Sequence, residues 1–206
     1  DTSRRWEQAA EDAVAQALAT AGDMVETHIA AARAASHRGR LRDAVVALRK
    51  AIDIAPTSPD AHAIIGMLEC ETGRGDEGLA RLALAHKLEP NGIHPYEAAR
   101  LSGLQGDHAA FDRSMVLVKR LTPALPRLHL ELRHAGWWRD RARMEAIRAE
   151  APSLGPPFAP IFEHIALSYL DDRPTSVGAA ALTAVMAHVN VRFASMLRQI
   201  LVELHT

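Results

Sequence analysis

The composition of this 206-residue chain is that of an ordinary globular protein, with 48% apolar and 24% charged residues. Lysine and arginine total 24 against 25 acidic residues, so the formal charge is −1 and there is no basic excess to neutralise phosphates. Nucleic acid is therefore not expected as a partner. The single cysteine, Cys70, cannot form an internal disulfide, which excludes a disulfide-stapled scaffold.

The sequence also gives expectations about membrane insertion, the extent of the chain, its source and its location. Its longest apolar stretch, residues 178–189, is about half a membrane span and contains His188, so no membrane insertion is expected. The chain begins at Asp1 and stops directly after an apolar helical pattern, which suggests a piece of a longer protein. Lysines are few while arginine and alanine abound, a bias typical of GC-rich bacterial genomes. We expect a bacterial protein with a cytoplasmic location.

Residues 1–24 are predicted to form an N-terminal capping helix. Within this stretch, Ala10, Val14 and Ala17 are spaced as on the buried side of a helix. The spacing resembles the second half of a helical pair, so we expect a half unit that covers the first complete one.

One sequence unit follows three times in succession. Each copy has a glycine and, at the same spacing after it, a proline, and both markers recur at nearly the same interval along the chain. The glycine can end one helix in the left-handed conformation, and the proline stops the next helix. Each unit is therefore predicted to be a helix, a turn and a helix. The marker pairs are Gly39 and Pro56, Gly73 and Pro90, and Gly106 and Pro123.

At these positions the chain resembles the tetratricopeptide repeat family. The family pattern has small residues where helices cross, a large apolar residue in the second helix and a closing proline. The resemblance implies an all-α, right-handed superhelical solenoid of helix-turn-helix repeats, with units at residues 25–58, 59–91 and 92–123. The aligned pairs of the first two units are Ala32 with Gly66, Gly39 with Gly73, Ala44 with Gly78, Leu48 with Leu82, Ala51 with Ala85, and Pro56 with Pro90.

The later units depart from this pattern. The third has Phe111 and Val118 where small residues are usual. A degenerate fourth unit is predicted at residues 124–152, with Gly136 as its turn glycine and a first helix that is short. Trp137 and Trp138 follow that glycine, and we expect one to be core and the other an exposed contact.

The repeat register is expected to end at Pro152. The stretch 153–206 is predicted to be a C-terminal helical segment of three helices, the first containing Phe162, Ile165 and Tyr169. These helices either cap the repeats or begin a further one. The last of these three helices carries an apolar stripe through which a homodimer could form: Leu197, Ile200, Leu201 and Leu204.

No residue pattern of catalysis, cofactor binding or metal binding stands out. The 11 histidines lack zinc-site spacing, since His129 and His134 are five apart and so do not share a helix face. His28 and His62 hold one position in successive repeats, where packing between helices is the favoured role. The glycine-rich stretch 73–78 is explained by the inter-helix turn. We therefore expect neither an enzyme nor a bound cofactor or metal.

The resemblance implies that the first helices line a concave groove. Ile29, Arg33 and Ile64 stand where some family members place residues that clamp a terminal carboxylate, so that clamp is absent. The groove is predicted to take an apolar peptide or helix. Its predicted partner-binding residues are Ile29, Arg33, His37, Ile64, Met67, Cys70, Ile93, Tyr96 and Arg100.

The favoured function is thus a protein–protein interaction scaffold within a larger bacterial regulator. Two alternatives stay open at this stage. The chain could present substrate to a catalytic domain that lies outside it, or it could be a homo-oligomerisation module. A further alternative for the groove itself is that the chain's own C-terminal helices fill it, or that its residues only support neighbouring helices.

Overall fold

A computed structural model describes residues 2–156 and 158–171, and the described chain is all-α, as predicted. No strand occurs in these two ranges. A 3₁₀ turn, Ala151–Leu154, follows the ninth helix. The helices are α1 (Thr2–Thr20), α2 (Val25–His37), α3 (Leu41–Ile54), α4 (Pro59–Glu71), α5 (Gly75–Leu88), α6 (His94–Leu104), α7 (His108–Leu121), α8 (Ala124–Trp137), α9 (Arg141–Glu150) and α10 (Ala159–Asp171).

The helices fall into two compact units, one ending at Leu121 and one beginning at Thr122. In the first unit the helices pack mainly as neighbouring pairs, α2 with α3, α4 with α5 and α6 with α7. Each pair also contacts the next one, through α3 with α4 and α5 with α6, and α1 packs on α2. In the second unit, α9 packs against both α8 and α10.

The turns inside the first three pairs use the predicted glycines. Gly39, Gly73 and Gly106 have φ values of 71°, 90° and 75°, a region that side chains with a Cβ rarely enter. The residue after each glycine donates its N–H to a carbonyl five residues earlier, as in Arg40 to Ala35 at 2.9 Å. This bond satisfies a carbonyl that the ending helix leaves free.

The fourth turn corrects the prediction made at Gly136. Gly136 lies inside α8, and the left-handed residue is Arg139, with φ 52°. Asp140 donates its N–H to the Ala135 carbonyl at 2.9 Å, the same bond as in the other turns. The Asp140 side chain then caps α9 by accepting from the Arg143 N–H at 3.0 Å. The expected short first helix is also wrong, since α8 has 14 residues.

With this correction the helical pairs keep their period through the second unit. The left-handed positions 39, 73, 106 and 139 are almost evenly spaced along the chain. The segment 141–154, formed by α9 and the 3₁₀ turn, matches the length of α3, α5 and α7. Residue 152, the predicted end of the repeats, lies within it. Pro152 has no N–H for an α-helical bond, which accounts for the tighter last turn.

The helix ends show the same period. The first helices of the pairs end at positions 37, 71, 104 and 137, which are 34, 33 and 33 residues apart. The next helix, α10, begins at position 159, 35 residues after the start of α8, and the described residues stop at Asp171. The expected loss of register after Pro152 therefore stays a prediction. The predicted α10 residues Phe162 and Ile165 are fully buried, and Tyr169 packs beside them. The predicted stripe at positions 197–204 lies outside the described residues.

Small residues allow the paired helices to approach closely. A Cβ added at Gly66 in α4 would lie 2.7 Å from the Gly78 carbonyl oxygen in α5, so the two backbones are in direct contact. Ala51 and Ala85 are fully buried in the corresponding places of α3 and α5. The departures Phe111 and Val118 in α7 are also fully buried, so larger side chains fill that part of the third pair.

Candidate protein-binding face

The first helices α2, α4 and α6 lie side by side in the first unit. An ion pair joins each of them to the next. Arg33 Nη2 in α2 lies 3.5 Å from Asp60 Oδ1 in α4, and Arg100 Nη2 in α6 lies 3.3 Å from Glu71 Oε1 at the other end of α4. Their outward side chains therefore form one continuous surface, which we call the first-helix face.

Two predicted apolar anchors of this face are core residues. Ile29 and Ile64 are 9% and 6% exposed, and they pack in one cluster with Ala32 and Leu48. Met67 is half-buried and contacts this cluster as well as the next one. Little of Ile29 and Ile64 is accessible to a partner, and their packing favours the alternative in which they support neighbouring helices.

Cys70, also predicted for this face, is buried as well. Its thiol donates to the Gly75 carbonyl, with 3.6 Å between sulfur and oxygen. Burial and the adjacent Glu69 raise the pKa of the thiol. A thiol with a raised pKa carries little thiolate at neutral pH, so Cys70 is a packing residue rather than a reactive one.

The accessible part of the face is charged along its length and apolar at one end. Arg33 and His37 are exposed on α2. Ile93, the residue that precedes α6, is 69% exposed, and Tyr96 is half-buried one turn further on. A partner would therefore meet Arg33 and Arg100, each paired with a carboxylate, and a small apolar patch at the start of α6.

Arg100 is held rigidly within this face. Its Nε donates to Glu97 Oε2 at 2.8 Å, while its Nη2 reaches Glu71. Burial acts to lower the pKa of Arg100, but Glu97 and Glu71 outweigh it and raise that pKa. The side chain is thus a fixed positive charge with its orientation set by two carboxylates.

His28 and His62 contribute to packing, in agreement with the favoured role. Both are buried, and the Nε2 of each donates at 2.8 Å to the carbonyl six residues earlier, of Gly22 and Pro56. His94 at the start of α6 makes a related bond from Nε2 to Glu89 Oε2 at 2.9 Å. These bonds tie each first helix to the segment that leads into it.

The tryptophan pair belongs to the second unit. Trp137 is exposed and Trp138 is half-buried, so neither is fully inside the core as one was expected to be. The buried His134 ring contacts both, edge-on to Trp137 at 5.1 Å and stacked on Trp138 at 5.3 Å between centroids. Arg133 lies over Trp137 at 4.6 Å. These ring contacts and the cation–π contact pack the side chains at the C-terminal end of α8.

The roles of two buried polar residues of α8 could not be predicted from the sequence. Arg127 pairs with Glu131 at 3.2 Å and with Glu150, which ties α8 to α9. His129 is 2% exposed, and burial, reinforced by Arg133, lowers its pKa to about 4. His129 is therefore neutral at physiological pH and acts as a structural side chain.

Within residues 2–156 and 158–171, no group of three histidine, cysteine or acidic side chains is arranged to hold a metal. The helices of these ranges are also too short or too polar to cross a bilayer. Neither a protein-family model nor a curated protein matches the chain.

Proposed function

We propose that the chain is a protein-interaction module built from tetratricopeptide-like helical pairs arranged as a right-handed solenoid. The observation that supports this proposal is the continuous first-helix face, on which ion pairs bridge α2, α4 and α6. Stacked helical pairs make extended surfaces of this kind, and such surfaces suit extended or helical segments of other proteins.

The proposed contact differs from a purely apolar groove. Because Ile29 and Ile64 are core residues, the contact uses the charged row at Arg33 and Arg100 together with the apolar patch at Ile93 and Tyr96. A partner segment with one large apolar side chain and charged residues beyond it would fit both parts. The apolar anchor supplies affinity, while the charges select orientation.

The test uses peptides selected from a random display library on the immobilised chain. Ile93→Glu and Arg33→Ala should each weaken binding of the selected peptides, the first by about 30-fold, as expected when an interface anchor worth about 2 kcal/mol is lost. Val116→Glu is the matched control, because Val116 is 64% exposed on α7, away from this face.

Circular dichroism and melting curves establish that each variant is folded. Selected peptides that bind Ile93→Glu as tightly as the parent would contradict the proposed face. If Ile93→Glu and Val116→Glu weaken peptide binding equally, then a charge at any exposed apolar position disrupts binding. That result would also contradict the proposed face.

A further inference from the structure

A second surface of the first unit has a charge pattern that the first-helix face does not explain. A cleft of about 740 Å³ lies between α3, α4 and α5. Its floor includes Ile65 and Leu68 of α4, and Val45 and Ile52 of α3 form an apolar side. We call this space the central cleft. Its lining comes from three helices of two successive pairs, so no short sequence motif marks it.

Four arginines stand along the two walls of the central cleft. Arg42 and Arg49 are seven residues apart on α3, and Arg74 and Arg81 are seven apart at the start of α5 and within it. Seven residues are close to two helical turns, so Arg42 and Arg49 lie on one side of α3, about 10 Å apart along its axis, whereas Arg74 directly precedes α5. The walls therefore present positive charge at two levels, with apolar surface between them.

Two carboxylates offset part of this charge. Glu69 is 5% exposed on the floor; its Oε2 accepts from Arg81 Nε at 2.8 Å, and its Oε1 lies 3.7 Å from Arg74 Nη2. Asp53 lines the other side. Arg42 and Arg49 make no ion pair with any residue of the described ranges. Two positive charges thus remain uncompensated beside an apolar floor.

The equivalent clefts of the neighbouring pairs are different. The cleft between α5, α6 and α7, about 420 Å³, is lined by Arg113 together with two aspartates, Asp76 and Asp107. The cleft between α1, α2 and α3, about 440 Å³, has Arg40 and Lys50 balanced by Glu11 and Asp43. The positive excess is therefore a property of the central cleft and not of the repeat.

We propose that the central cleft binds an acidic amphipathic segment of a partner protein. Arginine pairs with carboxylates through two parallel hydrogen bonds, and the apolar floor requires an apolar side chain between those carboxylates. Acidic residues seven apart on a helix would match the spacing of Arg42 and Arg49. Nucleic acid fits less well, because the chain as a whole carries a formal charge of −1 and the cleft floor is apolar.

The probe is a fluorescein-labelled helical peptide with two glutamates seven residues apart and leucines between them. Its affinity for the whole chain is measured by fluorescence anisotropy at low and high salt. A peptide with glutamine in place of glutamate reports the charge contribution, and labelled oligo-dT of similar length reports nonspecific anion binding.

The glutamate peptide should bind at least about tenfold more tightly than the glutamine peptide and lose affinity as salt rises. The double variant Arg42→Ala, Arg49→Ala should weaken glutamate-peptide binding about tenfold or more. Arg113→Ala in the neighbouring cleft is the control and should change it less than twofold. The two α3 arginines are exposed, so their removal should leave the melting temperature close to that of the parent.

Equal affinity for the glutamate and glutamine peptides would overturn the proposal. It would also be overturned if Arg113→Ala lost as much affinity for the glutamate peptide as the double variant Arg42→Ala, Arg49→Ala. Oligo-dT binding as tight as the glutamate peptide would show that the cleft is a general anion site and would overturn the assignment to a protein segment. Ile93→Glu should leave this binding unchanged, so the outcome here is separate from that for the first-helix face.

Discussion

Alanine in place of glycine should have opposite effects on stability at Gly66, where α4 and α5 cross closely, and at Gly136 within α8. In Gly66→Ala, the new methyl group would lie 2.7 Å from the Gly78 carbonyl oxygen, 3.1 Å from Arg81 Cβ and 3.3 Å from Leu82 Cγ. Two of these neighbours are fixed by the backbone. An ordinary contact between non-bonded heavy atoms is about 3.5 Å. The two helices must therefore move apart by roughly the amount by which the 2.7 Å distance falls short of that value.

Overpacking of this kind costs about 1–3 kcal/mol, and the higher helix propensity of alanine returns about 0.5–1 kcal/mol. Gly66→Ala should thus lower the free energy of unfolding by about 1–2 kcal/mol. Gly136→Ala is the control: Gly136 lies within α8 and an added Cβ would meet nothing within 4 Å, so stability should rise by about 0.5–1 kcal/mol.

Urea unfolding followed by circular dichroism in the far ultraviolet measures both variants. A Gly66→Ala protein as stable as the parent would refute the close backbone contact, and with it the alignment of Gly66 and Gly78 as crossing positions. A loss of stability in Gly136→Ala would place that glycine in a turn, as the sequence alone suggested.

Two further changes test the second unit. Arg139→Gly should raise the free energy of unfolding by about 0.5–1 kcal/mol, because glycine relieves the left-handed strain at φ 52°; an unchanged or lower urea midpoint would argue against that turn. His129 has a pKa of about 4 in the folded chain against 6.5 when exposed, so stability is fully present above pH 6.5 and is lost as pH falls toward 4. Between pH 7 and pH 5 the parent should therefore lose about 2 kcal/mol more than His129→Gln, measured by urea unfolding at both pH values, and parallel losses would contradict a buried neutral histidine.

The sequence predicted those parts of the fold that particular residue types encode. Gly39, Gly73 and Gly106 mark turns because only glycine enters the left-handed region at little cost. The fourth turn was missed because Arg139 carries no such mark, and its conformation is held by the bond from Asp140 to Ala135 and by the Asp140 cap. Gly136, three residues earlier, was a more visible but misleading signal.

The candidate site was predictable only as a set of positions on the first helices. Face positions follow from the repeat register, but register does not say how far neighbouring helices approach. Small residues such as Ala32 and Gly66 let the helices pack closely, and this buries Ile29 and Ile64. The central cleft could not be read from the sequence, since Arg42 and Arg81, which both line it, come from helices of different pairs.

Hydrogen exchange of the chain, with and without a library-selected peptide, tests the central claim most directly. If the first helices form the partner-binding face, backbone amides of α2, α4 and α6 should gain protection on binding, with the largest change around Ile93 and Tyr96. Exchange reports local opening at each helix, so the pattern locates the bound surface. Protection confined to α3, α5 and α7, or to the second unit, would contradict the claim.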